Sequence, residues 1–481
     1  MRYGLWMVFL LHANLAKSQC CPFVFRFLTN PVNEKVCFSS LLEDAKELYE
    51  KIQEVHPDLY RNATKEALDS SYLRLINTCT EDLTLLSFVA AVNAFLQTIK
   101  DSHTFINLRD LLHYKALSRY YLPLQLTESE GKLWVVKSGV KAIPAGVNLL
   151  SVNAVPVKMY QEQALVLTPK ESLADSAFRL MQLHVVSALM NLNHSNRMNT
   201  YQWVDGKDTV KAQVKIPRFI KAQHKEAFKW GSNDITFKAT EGSGILKIAS
   251  FSPTNIKGFK KKLDQIFQEI SVRPIDKLIL DLRFNTGGYI LLQEYLMSFL
   301  APKNTAYTAD YVYKRSAYDR FSQLSRFQRK RFIRAAKHVY PNGALSKEWD
   351  FYNRPYGSVE TVTNNPILKN NLGLEYSGSC TLLVNELSMS AAANFTAWFI
   401  KGQRGEVIGS PVSGTNAGTF ANPATLFLTN TGLPISISTM KINLLSEGEI
   451  ERSLRPNHEI RPTLQELKQG VDAMLHFALK H

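Results

Sequence analysis

Ser390 stands in a stretch suited to a reactive hydroxyl. Leu382, Leu383 and Val384 read as an apolar strand, Asn385 to Ala393 supply small residues and serines, and Phe395, Trp398 and Phe399 carry a helical pattern up to Gly402. At such a strand-to-helix corner small neighbours leave the hydroxyl reachable, and a helix N-terminus favours negative charge developing beside it. Ser390 is therefore the candidate nucleophile, and the N–H of Ala391 a candidate oxyanion donor. The plainer reading is that Ser388 or Ser390 only caps the helix. A serine hydroxyl is too weak a nucleophile until a base takes its proton, so the corner carries chemistry only if a base is near.

Two further stretches supply what the corner needs. Leu278 to Leu282 form a buried-type strand that runs through Arg283, Phe284, Asn285 and Thr286 into the pair Gly287–Gly288. Glycines let bare backbone N–H groups approach a ligand, which is how an oxyanion hole is built, so Gly287 and Gly288 are its candidate donors. Far upstream, Ile99 to Phe105 place His103 between an amphipathic helix and a short strand. His103 is the candidate general base.

Taken together, Asp281 to Gly288, Ser388 to Ala392 and Asp101 to Thr104 resemble the marks of one serine-peptidase family, family 41. It comprises the C-terminal processing (tail-specific) proteases, the tricorn core proteases and the interphotoreceptor retinoid-binding modules. The similarity runs from about Leu41 to about Arg461. Where the lysine branch of that family expects G-K after a G-x-P turn, this chain has Gly409–Ser410–Pro411 followed by Val412 to Asn416, without lysine. The resemblance is thus to the histidine branch. It implies a late glutamate supporting the histidine through an intervening polar group, with Glu451 and then Glu449 as the matching residues, and it implies no metal and no organic cofactor. Asp281 and Arg283 would hold the glycine loop. Ala393, where the family often has Glu, and the thinned glycine cluster after Pro411 depart from the pattern.

Several elements must position these groups. Leu41 to Ile99 carry helical spacing, with Ser39–Ser40 and Glu43 resembling a capping box and His56–Pro57 ending the first helix, which makes His56 a turn residue. From Tyr121 to about Lys238 short alternating runs predict strands. Ile143 to Ala154 resembles the glycine turn and following strand of PDZ-like modules, although its turn reads Asn153–Ala154 where Asn-Gly is usual. From Gly244 onward strands and helices alternate, which argues for a parallel α/β sheet; the resemblance makes it a crotonase-like core. The expected fold class is α/β, with a helical domain over 36–115, a β-rich, PDZ-like domain over 116–238 and a crotonase-like peptidase domain over 239–470.

Composition narrows the function. The chain has 481 residues with 45% hydrophobic and 21% charged, ordinary for a globular protein of two or three domains. Its formal charge of +15 comes without a nucleic-acid-binding motif, so a solvated basic surface is expected and no nucleic-acid partner. The basic, aromatic-rich stretch 302–356, with Lys314, Arg315, Arg320, Arg326, Arg329, Lys330, Arg331, Arg334 and Lys337, reads as a solvated helical insertion over the site. Residues 1–19 have the charged, apolar and small-polar order of a secretory leader, and no later run is long and apolar enough to span a bilayer. A periplasmic or extracellular location follows; Cys20 offers a lipidation site, but Ser18–Gln19 fit a lipobox poorly. Cys20, Cys21, Cys37, Cys79 and Cys380 show no zinc-ligand spacing, and Cys37–Cys79 is one conceivable disulfide.

The sequence thus points to an exported serine endopeptidase acting on a peptide or protein substrate. The alternative is a catalytically silent ligand- or peptide-binding module on the same fold.

Overall fold

In the computed structural model of the chain, the described residues are 35–106, 124–171, 179–192, 197–216, 235–240, 242–318 without 274 and 304, 325, 327, 328, 330, and 354–481 without 366. The leader reading of residues 1–19, Cys20 and Cys21 lies outside them.

The alternation after Gly244 produces a six-stranded sheet. Its order is Ile235–Thr240, Ser243–Ile248, Lys277–Asp281, Ser379–Val384, Glu406–Gly409 and His458–Glu459. The first pair is antiparallel and every later pair parallel. The inner strands are apolar on both faces because helices cover both: Leu278, Ile279, Leu280, Leu382, Leu383 and Val384 are fully buried. Ile256–Val272 and Ile290–Leu300 pack on one another through stacked Phe267 and Phe299 rings. Asp281 pairs in register with Leu383, so the glycine loop and the serine corner leave neighbouring strand ends side by side.

The N-terminal region forms the helices Phe38–Val55, Lys65–Thr78 and Leu85–Ile99. The first starts earlier than the capping-box reading of Ser39–Ser40 and Glu43 implies: Cys37 is its N-cap and makes no side-chain cap bond. The exposed N-terminus is satisfied instead by Asp82, which accepts the Phe38 N–H. Cys79 and Cys380 are free thiols, so no disulfide joins Cys37 to Cys79.

The middle region is an antiparallel sheet ordered Leu124–Ser129, Lys132–Ser138, Asn148–Val152, Met198–Asp205 and Asp208–Lys215, with Val157–Leu167 and Arg179–Leu192 as its helices. Asn153 and Ala154 both have positive φ, so the hairpin keeps the backbone of an Asn-Gly turn although alanine occupies its second position.

The helical reading of the basic stretch 302–356 fails at its start. Ala309–Lys314 is a strand with alternate residues buried, paired with Val359–Asn364 and Met440–Asn443. Period-two burial of Tyr311 and Tyr313 overrides the charge pattern there. Arg320, Arg326, Arg329, Arg331, Arg334 and Lys337 lie outside the described residues.

One buried carboxylate docks the first helix on the core. Asp44 accepts the N–H (2.7 Å) and hydroxyl (2.5 Å) of Thr431 and the N–H of Asn430 (2.8 Å). Asp44→Ala would strand these donors in the interior. We expect it to cost about 3 kcal/mol, read as a lower denaturation midpoint; unchanged stability would contradict this docking role.

Candidate active site

The serine corner is held by side chains that do no chemistry themselves. Ser388 donates to Leu282 O (2.9 Å) and accepts the Asn385 N–H, while Asn385 Oδ1 takes the N–H groups of Phe284 and Leu387. Asn285 ties the loop to the sheet: its Nδ2 donates to Ile248 O, its Oδ1 accepts the Gly287 N–H, and its carbonyl accepts the Met389 N–H. Asp281 and Arg283 brace the same loop. The guanidinium pairs with both Asp281 and Asp472, and these carboxylates outweigh its burial and raise its pKa further above the usual range.

Within this frame Ser390 adopts φ 52° and ψ −120° as the residue preceding the helix Ala391–Lys401. A side chain in that region costs on the order of 1–3 kcal/mol and persists only where its surroundings impose it. Ser390 therefore makes no side-chain cap bond to the helix, contrary to the plain capping reading. Gly287 lies directly against it: a Cβ there would meet Ser390 Cβ at 2.6 Å and Ala391 N at 2.9 Å. At Gly288 an added Cβ would meet the Phe251 backbone at 2.2 Å. Among the described residues the N–H groups of Gly288 and Ala391 donate to no protein acceptor, whereas that of Gly287 is taken by Asn285. Gly288 and Ala391 are thus the N–H groups available to an oxyanion, and Gly287 provides the room.

His103 sits in the tight turn between the helix Leu85–Ile99 and the strand Phe105–Ile106, which pairs with Pro434–Ile437. Its platform is Asp101, a buried carboxylate. Asp101 Oδ1 accepts the His103 N–H (2.8 Å), and Oδ2 accepts from Thr104 (2.6 Å), Ser438 (2.6 Å) and His56 Nε2 (3.2 Å). His56 Nδ1 accepts the Asp58 N–H, which assigns the proton to Nε2. Burial works against the Asp101 charge, but the neighbouring His103 and His56 outweigh it and hold its carboxyl well below the usual range. His103 Nδ1 faces Asp101 Oδ1 at 3.7 Å, a distance at which no hydrogen bond forms, and Nδ1 is buried without a partner. Burial disfavours the imidazolium, yet Asp101 and Glu171 prevail and raise the His103 pKa above 6.5. Glu171, also buried, accepts the Ser102 N–H at 3.0 Å; burial, helped by the Asp101 charge, pushes its carboxyl up to about 7.

The two late glutamates separate. Glu451 accepts the Thr415 hydroxyl (2.7 Å) and pairs with Arg61 (3.3 Å), so among the described residues its side chain bonds Thr415 and Arg61 and not His103. Thr415 follows Ser413, which bridges to Met389 and donates to Glu386 O. Glu449 is an exposed partner of Lys401 and of the Ser446 N–H. Among the described residues no hydrogen bond joins Ser390 to His103; the segment from Ser413 to Ser438 connects their platforms.

Sequence reasoning missed three members of this cluster. His56 was read as a turn residue and does cap the first helix, but its ring also bonds Asp101. Ser438 and Glu171 lie far from His103 in the chain and in no motif, so only the fold brings them in.

The chain matches the model of Peptidase family S41, a family of serine peptidases, over residues 242–463. Its fold is shared with crystal structures of mature CPAF (15% identity over 92% of this chain and 96% of that one, TM-score 0.60), of mature CPAF complexed with lactacystin (14%, 92% and 97%, 0.61) and of a serine-to-alanine mutant of CPAF (14%, 92% and 96%, 0.61). No curated protein is significantly similar in sequence.

Gly287→Ala would place a methyl group against Ser390 in a backbone conformation that favours glycine. We expect it to lower the melting temperature and, in protein that stays folded, to cut ester hydrolysis by about 10²-fold or more. Hydrolysis at the unaltered rate would rule out an oxyanion pocket at this loop.

Proposed function

We propose that the chain is an exported serine endopeptidase that cleaves peptide bonds through an acyl-enzyme on Ser390. The observation that carries this reading is the strained Ser390 backbone beside the uncommitted N–H groups of Gly288 and Ala391. Strain imposed at a serine by surrounding bonds aims its hydroxyl, and the adjacent N–H pair receives the charge that attack on a carbonyl creates.

The chemistry follows from the orientation of His103. Nδ1 faces Asp101, which leaves Nε2 to take the Ser390 proton as Oγ attacks the scissile carbonyl. The tetrahedral oxyanion is held by Gly288 and Ala391 N–H. His103 then returns the proton to the leaving amine, and water activated by the same nitrogen releases the acyl group. Asp101 positions the imidazole and stabilises its charged form. Glu451 acts one layer out, fixing Thr415 on the segment that flanks the serine corner. Glu449 takes no part.

A cleft of about 630 Å³ supports a peptide substrate. It runs between the edge strand Leu124–Ser129 and the helix Arg179–Leu192 and reaches Phe284, Asn385 and Glu386, the residues framing the corner. An edge strand beside a helix suits a chain added as a further strand, which is how a PDZ-like module captures peptide. The leader-like residues 1–19 support export, and no helix among the described residues is long and apolar enough to cross a membrane.

The second reading, a silent binding module, has one observation on its side: the absence of a Ser390–His103 hydrogen bond among the described residues. Catalytic hydrogen bonds are often long before substrate binds, so an enzyme without substrate has the same geometry.

Cleavage of a peptide library decides it. Ser390→Ala and His103→Ala are each expected to lower kcat by about 10⁴-fold or more with little change in KM. The rate should rise with pH as His103 loses its proton, with a midpoint above the 6.5 of an ordinary histidine, and Asp101→Asn should move that midpoint down. A folded wild type without turnover on any peptide would favour the binding module.

A further inference from the structure

The buried cluster behind His103 is built around a gap. Between His103 Nδ1 and Asp101 Oδ1 lie 3.7 Å, too far for a shared proton, and Nδ1 finds no other partner. Glu171 closes the third side, and one ligand atom from each of the three lies within 4.8 Å of the others. Ligand atoms on a tetrahedral zinc ion, with bonds near 2.0–2.2 Å, are about 3.3 Å apart. The His103–Asp101 edge is already close to that spacing, and a modest closure of Glu171 completes it.

The surroundings match those of a ligand set. Thr104, Ser438 and His56 all donate to Asp101 Oδ2, which fixes the carboxylate and leaves Oδ1 turned to the gap with one N–H on it. Such outer donors orient metal-binding carboxylates. Two buried carboxylates side by side also favour a divalent cation over an empty space, since each raises the cost of ionising the other. The motif is invisible as a zinc spacing, because Glu171 follows Asp101 and His103 only after three strands of the middle sheet and the helix Val157–Leu167.

We propose that Asp101, His103 and Glu171 bind one divalent transition-metal ion of the zinc class, and that the bound ion silences the peptidase. The second half rests on His103 being the base. With the metal on Nδ1, the imidazole proton leaves that nitrogen and is taken up at Nε2, and any proton on Glu171 passes to solvent as the ion sheds water; no electrons move. Nε2 then carries hydrogen and has no lone pair for the Ser390 proton. The ion inhibits by fixing the wrong tautomer, without touching Ser390.

Zinc titration of the full chain by calorimetry tests this, with circular dichroism melts to establish that each variant is folded. Wild type should take up one zinc per chain, and Ser390→Ala should bind as well as wild type. Glu171→Gln and His103→Gln should each bind about tenfold or more weakly. His458→Ala, which removes the exposed His458–Glu406 pair as a rival site, should not matter. If Glu171→Gln does not fold, the visible spectrum of the cobalt-loaded wild type, unchanged in His458→Ala and absent in His103→Gln, serves instead. Peptide cleavage should fall with zinc occupancy and return with chelator. No zinc uptake, or uptake indifferent to Glu171→Gln and His103→Gln, overturns the site. Binding that follows the variants while cleavage continues keeps the site and overturns His103 as the base.

Discussion

Asp101 is the carboxylate on which the arrangement turns. It is buried, and a buried charge is tolerated only when donors surround it. Those donors come from three parts of the chain: His56 at the end of the first helix, the Ser102–Thr104 turn, and Ser438 beyond the strand Pro434–Ile437. Satisfying one charge therefore fixes the N-terminal helices against the core and anchors the backbone of His103 in the same act. Asp44 repeats the device at the other end of the first helix, where it gathers Asn430 and Thr431. The docking of the helical region is thus specified by carboxylates more than by shape, and the histidine it carries inherits that precision.

The serine side depends on a different economy. Parallel strands ending in register bring two loops together, and Asn285, Asn385 and Ser388 convert that proximity into a fixed backbone. The strain at Ser390 is then supported by bonds several residues away. Reaction at this corner would need no rearrangement of the donors, because Gly288 and Ala391 already have no other acceptor among the described residues. Helix Ala391–Lys401 adds its dipole at the same point.

Much of this was legible in the sequence. The strand Lys277–Asp281 and the helix Ile290–Leu300 follow from apolar runs and their punctuation, and the serine corner and glycine loop from residue types that few other roles require. What could not be read is what the fold assembles from distant, individually unremarkable polar residues. Glu171, Ser438 and Thr415 carry no local signal, and His56 carries one that describes only its backbone. The strand Ala309–Lys314 was hidden by its basic neighbours, since charge density says little about period-two burial on the opposite face. Glu451 lies against Thr415 and Arg61, and Glu449 on the surface with Lys401, a separation that three acids in one polar loop do not announce.

The most direct test of an activated Ser390 is where a fluorophosphonate probe attaches. The purified protein would be treated with the probe, digested, and the adduct located by mass spectrometry. The account predicts one adduct, on the peptide containing Ser390, abolished by His103→Ala in protein that keeps its melting temperature. An adduct on another serine, or none on a folded wild type, would contradict it.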